Sequence, residues 1–344
     1  MRITDIEIIQ VNVPYLERVR EFLRLAWRRE TTPAVNTCIY KVHTDEGLVG
    51  LGEGTANLGD QVKTYLGRDP FDFIWDDSVG GAFQMACHDL MGKALGIPAY
   101  KLFGPKQRDE VLTMYWSHCF PPEIMAREAK IALESGFTFH KTKARPFHDP
   151  VEQIAAMAEV VPPDYRIAVD ANGTFEQASR AIQVAKEFTQ YPNVWAMESP
   201  IPQGDIDGYL LLKDVVDYPI AIHSNQPPPL EAVKAGMCDY FVLEFEWANT
   251  LVKQAAIAEA AGVHLWVENG LYSGISAMFQ VHQAAAIKNA DLCISLIFLM
   301  EDDLIIEPFA VKNGHVEAPE KPGIGVTLDE DAVDNYRVRA KESA

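Results

Sequence analysis

The chain has 344 residues, of which 48% are hydrophobic and 23% charged, and its formal net charge is −19. This length corresponds to about two average domains, and the composition is typical of a folded globular protein. The acidic charge argues against nucleic acid as a partner, because phosphate backbones are bound by basic surfaces. No apolar run reaches the ~18–20 residues that a membrane-spanning helix needs, so we expect no membrane insertion.

The cysteines indicate a reducing compartment. Five of them are scattered along the chain without the spacing of a disulfide framework or a zinc site. We expect reduced, buried thiols and a cytoplasmic protein. The first residues alternate like a strand and lack the basic start and apolar stretch of a signal peptide.

The N-terminal region, residues 1–111, predicts a small α+β domain. Residues 3–13 alternate as a strand, and residues 38–54 read as a hairpin with its turn at 45–47. Residues 14–33 between them are partly amphipathic and are compatible with a helix or an ordered loop. Helical patterns follow around residues 60–67 and 80–96, the second closed by Gly96 and Pro98.

From residue 112 to residue 308, short apolar runs alternate with helical segments. Eight strand candidates follow in order: LTMYWSHC, FTFHKTKA, YRIAVDAN, NVWAMESP, YPIAIHSN, YFVLEFEW, HLWVENG and LCISLIFL. Alternation of strands and helices predicts a parallel sheet, and eight strands favour a (β/α) barrel. The turn-rich segment 309–344 would pack elsewhere, and we place it back on the first domain.

Polar residues end six consecutive strands of this predicted barrel. In a barrel those ends form one face, where catalytic residues are placed. Each residue alone is also compatible with a loop cap or a surface charge, but the series predicts an active site. The residues are Lys141, Lys143, Asp170, Asn172, Glu198, Ser224, Asn225, Glu244 and Glu268.

Two carboxylates and two lysines carry the predicted chemistry. Asp170 and Glu198 end neighbouring strands, so both can bind one Mg²⁺ ion, although carboxylates also cap helices at such a rim. Lys141 and Lys143 alternate with Thr142 and therefore share one face of their strand. Two such ammonium groups depress each other's pKa, so one lysine can act as a base. A metal-bound carboxylate substrate would lose its alpha proton to that base.

Several motifs resemble one enzyme family over nearly the whole chain. In order they are GRDPFDF, CHDLMGKALGIPAYKLFG, KTK, VDANG, MESPIP and NGHVEAPEKPGIGVTLDED. They are similar to those of the mandelate racemase and muconate lactonizing enzyme branch of the enolase superfamily. The resemblance implies a modified (β/α) barrel with an α+β capping domain made from the N-terminal region and the C-terminal tail. It also implies a homo-oligomer, and cap loops near 14–32 and 52–60 that close over a small carboxylate substrate.

The resemblance also implies roles for individual residues. Asp170 and Glu198 match the first two metal ligands of the family. Lys143 matches the base for one face of the substrate, and Lys141 tunes it. Asn172 matches a polar residue beside the metal, where it would contact substrate.

This chain departs from the family pattern at the later strands. The fifth strand should supply a third carboxylate, and Ser224 and Asn225 stand there with His223 beside them. A hydroxyl or amide oxygen can bind Mg²⁺, but loss of the third charge should weaken the site. Glu244 and Glu268 replace the Asp–His pair of the racemases. We expect Glu244 and His223 to contact substrate.

Three functions remain open from the sequence. The first is dehydration of a sugar acid or related hydroxy-carboxylate by Lys143, with Glu268 assisting. The second is racemisation or epimerisation with Lys143 and Glu268 on opposite faces of the substrate. The third is a divergent paralogue that binds a ligand with little catalysis, in which Glu268 pairs with Lys141 or Lys143.

Overall fold

The computed structural model describes residues 1–26, 34–224, 226–245, 247–268, 270 and 272–339. An antiparallel sheet in the order β1–β2–β3 comes first along the chain. Its strands are β1 (Ile3–Pro14), β2 (Ala34–Thr44) and β3 (Val49–Gly54). The predicted strand and hairpin are thus confirmed. Residues 14–33 contain helix α1 (Glu17–Ala26), and residues 27–33 lie outside the described part.

Helix α2 (Gly81–Leu95) lies directly on the glycines of β3. A Cβ atom built on Gly52 would be 1.9 Å from the carbonyl oxygen of Ala82, so only glycine allows this contact. The helix ends at Gly96 with φ 66°, as predicted. The helical pattern near residues 60–67 forms a 3₁₀ turn at Gly59–Tyr65 instead of an α-helix.

The rest of the chain forms the predicted barrel. In the described residues, eight parallel strands pair in sequence order, and the last pairs with the first to close the sheet. The strands are β4 (Glu110–Ser117), β5 (Phe139–Lys143), β6 (Arg166–Asp170), β7 (Val194–Glu198), β8 (Ile220–His223), β9 (Tyr240–Glu244), β10 (His264–Glu268) and β11 (Ala290–Ser295).

Helices follow the strands, as in a (β/α) barrel. They are α3 (Pro122–Glu134), α4 (Pro150–Ala158), α5 (Ala178–Phe188), α6 (Ile206–Val215), α7 (Pro229–Ala235), α8 (Ala248–Ala260) and α9 (Gly274–Ala286). The predicted fold class, a modified barrel with an α+β cap, is confirmed. Across the described ranges, no helix combines the length and apolarity needed to cross a bilayer. The cysteines are all free and buried, as expected.

The C-terminal segment returns to the cap. Strand β12 (His315–Glu317) pairs antiparallel with β4, and helix α10 (Glu330–Tyr336) follows. The backbone N–H of Val338 then donates to Gln10 on β1 at 2.8 Å. The domain boundaries after residues 111 and 308 stay predictions.

The buried acid Glu53 forms hydrogen bonds between the cap and the barrel. Glu53 on β3 is fully buried and accepts hydrogen bonds from the backbone N–H and hydroxyl of Ser273, at 2.7 and 2.8 Å. Ser273 directly precedes α9. The cap therefore covers the barrel rim where the strands end and their helices begin.

Candidate active site

Parallel pairing aligns the ends of neighbouring barrel strands at one rim. Lys143 lies opposite Asp170, and Asp170 lies opposite Glu198. Glu244 and Glu268 are opposite each other on β9 and β10. Residues that are far apart in sequence thus end at one level, the rim that carries chemistry in such barrels.

Lys141 is the electrostatic centre of the rim. Its side chain is fully buried, and Nζ lies 2.7 Å from Glu198 Oε2, 2.9 Å from Glu268 Oε2 and 3.3 Å from Asp170 Oδ2. Burial alone would lower the pKa of Lys141, but the charges of Glu198, Glu268 and Asp170 raise it above its usual value. With these partners Lys141 is an ammonium ion near neutral pH, and so it is not the base of the pair.

Lys143 is placed differently from Lys141. Its Nζ contacts Asp170 Oδ2, and its side chain lines a cavity of about 290 Å³. The other lining residues are His223, Glu244, Phe245, Glu268, Gly270 and Tyr272. Of the two predicted lysines, Lys143 is thus the one that can reach a molecule in the cavity.

His223 joins the two predicted metal-ligand carboxylates. It ends β8, and its Nε2 lies 3.0 Å from Glu198 Oε1 and 3.8 Å from Glu268 Oε2. Burial would lower the pKa of His223, but Glu198 and Glu268 raise it overall. Ligand atoms of Asp170, Glu198 and His223 all lie within 4.8 Å of one another, which is a spacing suited to one metal ion.

Ser224 does not join this group among the described residues. Its hydroxyl donates to Gln254 Oε1 on α8 at 2.6 Å. Side chains alternate along a strand, so Ser224 takes the face opposite to that of His223. The structure places His223, which was predicted to contact substrate, beside Asp170 and Glu198, and the predicted ligand role of Ser224 stays a prediction. The predicted ligand Asn225 lies outside the described residues.

Asn172 shapes the turn after β6. It has φ 46°, and its backbone N–H donates to Asp170 Oδ1 at 2.8 Å. Its side-chain oxygen accepts a hydrogen bond from Arg145. Asn172 therefore helps to fix the Asp170 carboxylate, and its contact with substrate stays a prediction.

Two rim residues had no role in the sequence analysis, Arg145 and His118. Burial, Arg145 and Lys143 together lower the pKa of His118 to about 3, so its imidazole is neutral near pH 7. The backbone N–H of Cys119 donates to His118 Nδ1 at 2.7 Å, which leaves the ring proton on Nε2. The position of His118 directly after the first barrel strand was the signal available in the sequence.

Comparison with known proteins identifies the family. Residues 124–332 match the family model described as enolase C-terminal domain-like. The chain belongs to the enolase superfamily. Within it, the relatives are of the mandelate racemase and muconate lactonizing enzyme type.

Three relatives align with most of this chain. D-xylonate dehydratase of Haloferax volcanii is 29% identical and aligns with 88% of this chain and 86% of its own. D-gluconate dehydratase of Thermoproteus tenax is 26% identical, over 95% of this chain and 76% of its own. N-succinyl-L-Arg/Lys racemase of Bacillus cereus is 25% identical, over 87% and 90%.

A solved structure supports the fold. The crystal structure of N-succinyl Arg/Lys racemase from Bacillus cereus has a TM-score of 0.81 and 21% identity to this chain. It covers 98% of this chain and 99% of its own. At that identity the similarity supports the architecture alone. The reactions of the relatives range from dehydration to racemisation.

Membership of the superfamily implies Mg²⁺ at this rim. Both carboxylate oxygens of Glu198 are buried and accept no well-directed hydrogen bond from a described residue, although Lys141 and His223 lie near them. Such oxygens fit a divalent cation, and Asp170 supplies a second buried carboxylate. The third group of this candidate site, His223, offers an imidazole nitrogen, which is unusual for Mg²⁺.

Proposed function

We propose that the chain removes the proton beside a carboxylate group and dehydrates a sugar acid or related hydroxy-carboxylate. The position of Lys143 carries this proposal, because its amine reaches the cavity beside the metal-ligand carboxylates. Dehydration is further supported by the relatives that are D-gluconate and D-xylonate dehydratases.

The reaction needs only one base in the cavity. Lys143 Nζ takes the alpha proton, and the electron pair of the broken C–H bond forms a carbon–carbon double bond. The bond from the neighbouring carbon to its hydroxyl breaks, and the hydroxide takes a proton and leaves as water. Lys143, now protonated, lies in the same cavity and can return that proton. A divalent ion held by Asp170, Glu198 and His223 would stabilise negative charge on the substrate carboxylate.

Lys141 is a positioning residue in this proposal. It is fully buried, and it contacts the same Asp170 oxygen as Lys143 does. Lys141 therefore orients the carboxylate that in turn orients Lys143.

Epimerisation is the second candidate because Glu268 also lines the cavity. Glu268 on β10 could serve the substrate face opposite to Lys143 on β5. Both Glu268 oxygens accept hydrogen bonds from Lys141, at 3.0 and 2.9 Å, so this role requires one of these bonds to open. Dehydration has no such requirement, and we therefore rank it first.

The test is a library of sugar acids incubated with the protein and a divalent metal salt in D₂O. We expect deuterium at the alpha carbon of the recovered acid by NMR, and a product lighter by one water by mass spectrometry. Lys143→Met should slow both by about 10²- to 10⁴-fold, the usual contribution of a general base. Lys130→Met, on the exposed face of α3, is the matched control.

The outcomes separate the candidates. An inverted alpha carbon without loss of water would favour epimerisation. Acids that bind to the protein without exchange or product would favour the ligand-binding role. Equal rates in Lys143→Met and wild type would refute Lys143 as the base.

A further inference from the structure

We infer that the metal site is selective for a divalent transition ion with affinity for nitrogen, such as Co²⁺, over the Mg²⁺ of the superfamily. His223 supplies the third position, beside Asp170 and Glu198. The inference rests on the proposed function and deepens it, because it concerns the metal of the same site.

Donor chemistry gives the first reason. Mg²⁺ prefers oxygen ligands and loses its water reluctantly, so an imidazole in place of a carboxylate removes both a preferred atom and a negative charge. Transition ions bind imidazole well, and their affinity rises along the series from Mn²⁺ to Cu²⁺. The change from three carboxylates to two and a histidine therefore weakens Mg²⁺ more than Co²⁺.

The position of His223 is fixed by its neighbours. Gln203, in the loop after β7, accepts from the backbone N–H of His223 at 3.0 Å and donates to its carbonyl oxygen at 2.9 Å. Ser199 donates to the same Gln203 oxygen at 2.7 Å. On the other face, Ser224 is held by Gln254. These bonds keep the imidazole on the inner face and the serine outside.

The burial of the carboxylates is a second reason to infer a metal site here. Asp170 and Glu198 are fully buried, and two adjacent buried carboxylates carry a large desolvation cost unless a cation compensates them. Lys141 contacts three carboxylates, those of Asp170, Glu198 and Glu268, and Lys143 also contacts Asp170. A divalent ion on the His223 side of Glu198 would complete the compensation.

The first experiment uses the wild-type protein, stripped of metal by a chelator and loaded with Mn²⁺. Pulsed EPR should show the nitrogen modulation of a coordinated imidazole, and His223→Asp should lose it. A wild-type spectrum without nitrogen modulation would overturn the inference. This readout does not depend on catalysis or on the stability of a variant.

The second experiment compares Co²⁺ and Mg²⁺ by calorimetry. Most sites favour Co²⁺, so the change on substitution is decisive: His223→Asp should lower the Co²⁺ to Mg²⁺ affinity ratio by about 10- to 100-fold. Ser224→Asp, which adds a carboxylate on the outer face, should leave the ratio within about twofold. An unchanged ratio in His223→Asp, or an equal drop in Ser224→Asp, would contradict the inference.

The two proposals fail separately. A protein that exchanges the alpha proton through Lys143 but has no imidazole ligand keeps its function and loses this inference. A protein with an imidazole-bound metal and no exchange in any acid loses the function and keeps the site.

Discussion

At the residue scale, the charge around Lys141 sets the conditions for metal binding. Its ammonium lies 2.7 Å from Glu198 and 3.3 Å from Asp170, the carboxylates that we assign to the metal. A divalent ion there would repel the ammonium. Glu268 offers Lys141 two hydrogen bonds away from that pair, at 3.0 and 2.9 Å. Glu268 is therefore the group that can hold Lys141 when metal binds.

We predict that Glu268→Gln weakens divalent-ion binding by about 10- to 100-fold, the range for residues that orient metal ligands. Without the Glu268 charge, the Lys141 ammonium interacts more strongly with Glu198 and Asp170 and therefore competes with the metal ion for these carboxylates. The measurement is Co²⁺ affinity by calorimetry.

The double variant Lys141→Met/Glu268→Gln distinguishes competition from simple loss of negative charge. If Lys141 competes, the double variant should recover most of the affinity that Glu268→Gln loses. Equal affinities in the single and double variants would show that Lys141 is not the competitor.

The sequence predicted which strand ends meet at this rim, but it did not predict that His223 lies beside Asp170 and Glu198, and the reason is physical. Lys143, Asp170 and Glu198 each end a strand, and register alone brings them together. The choice between His223 and Ser224 depends on where β8 ends, because a shift of one residue reverses the face of every side chain. At this end the backbone N–H of His223 donates to Gln203 and the Ser224 hydroxyl donates to Gln254, and no local pattern reveals these bonds.

At the element scale, the capping domain supplies the N-terminal hydrogen-bond acceptor that one barrel helix, α8, lacks. Residue Trp247 precedes α8 and offers no capping side chain. Asp77, from a 3₁₀ turn of the cap, accepts from the backbone N–H groups of Asn249 and Thr250 at 3.1 and 2.9 Å. Helix starts leave such N–H groups unpaired, so the cap domain supplies the missing acceptor.

We predict that Asp77→Ala lowers the free energy of unfolding by about 1–2 kcal/mol, the usual cost of losing a helix N-cap. The loss includes the hydroxyl bond of Thr250 to Asp77, at 2.6 Å. Chemical denaturation followed by circular dichroism measures it.

Asp60→Ala is the matched control for Asp77→Ala. Asp60 also belongs to a 3₁₀ turn of the cap, but it is exposed and pairs only with the nearby Lys63 among described residues. Such exposed pairs contribute about 0–1 kcal/mol, so this variant should stay close to wild type. Equal losses in both variants would show that Asp77 has no special role between the domains.

The elements themselves were largely predictable. Eight apolar runs became the eight described barrel strands because strand–helix alternation is a strong local pattern. The segment near residues 60–67 became a 3₁₀ turn that begins at Gly59 and is followed by Gly67, both at positive φ. The hydrogen bonds of Asp77 and Glu53 to distant helices were not predictable, because they depend on the packing of two domains.

At the scale of the whole molecule, one buried histidine connects barrel, cap and tail. His282 on α9 is fully buried. Its Nδ1 accepts from the backbone N–H of Tyr100 at 3.2 Å, and its Nε2 donates to the carbonyl of Ile324 at 2.9 Å. Burial lowers the pKa of His282 to about 4, because a charge there is poorly solvated and a proton on Nδ1 would face the Tyr100 donor.

This histidine should make the fold sensitive to acid. The unfolded chain protonates His282 near its ordinary pKa of about 6.5 and the native state only near 4, so the unfolded state binds more protons between these values. Stability from this group is therefore full above pH ~6.5 and is lost as the pH falls to about 4, by about 3 kcal/mol in total. The nearby charges Glu320 and Lys106 modify the shift only slightly, as they act in opposite directions.

We predict that His282→Gln lowers stability at pH 7 but flattens its decline between pH 6.5 and pH 4. The difference between variant and wild type isolates this residue, because the raised pKa values of buried Glu53 and Asp89 act in the opposite direction in both proteins. Val281→Ala, a cavity in the same buried helix, should destabilise equally at every pH and leave the slope unchanged. Denaturation curves across this pH range decide the matter: if His282→Gln and Val281→Ala have the same slope, protonation of His282 does not drive acid unfolding.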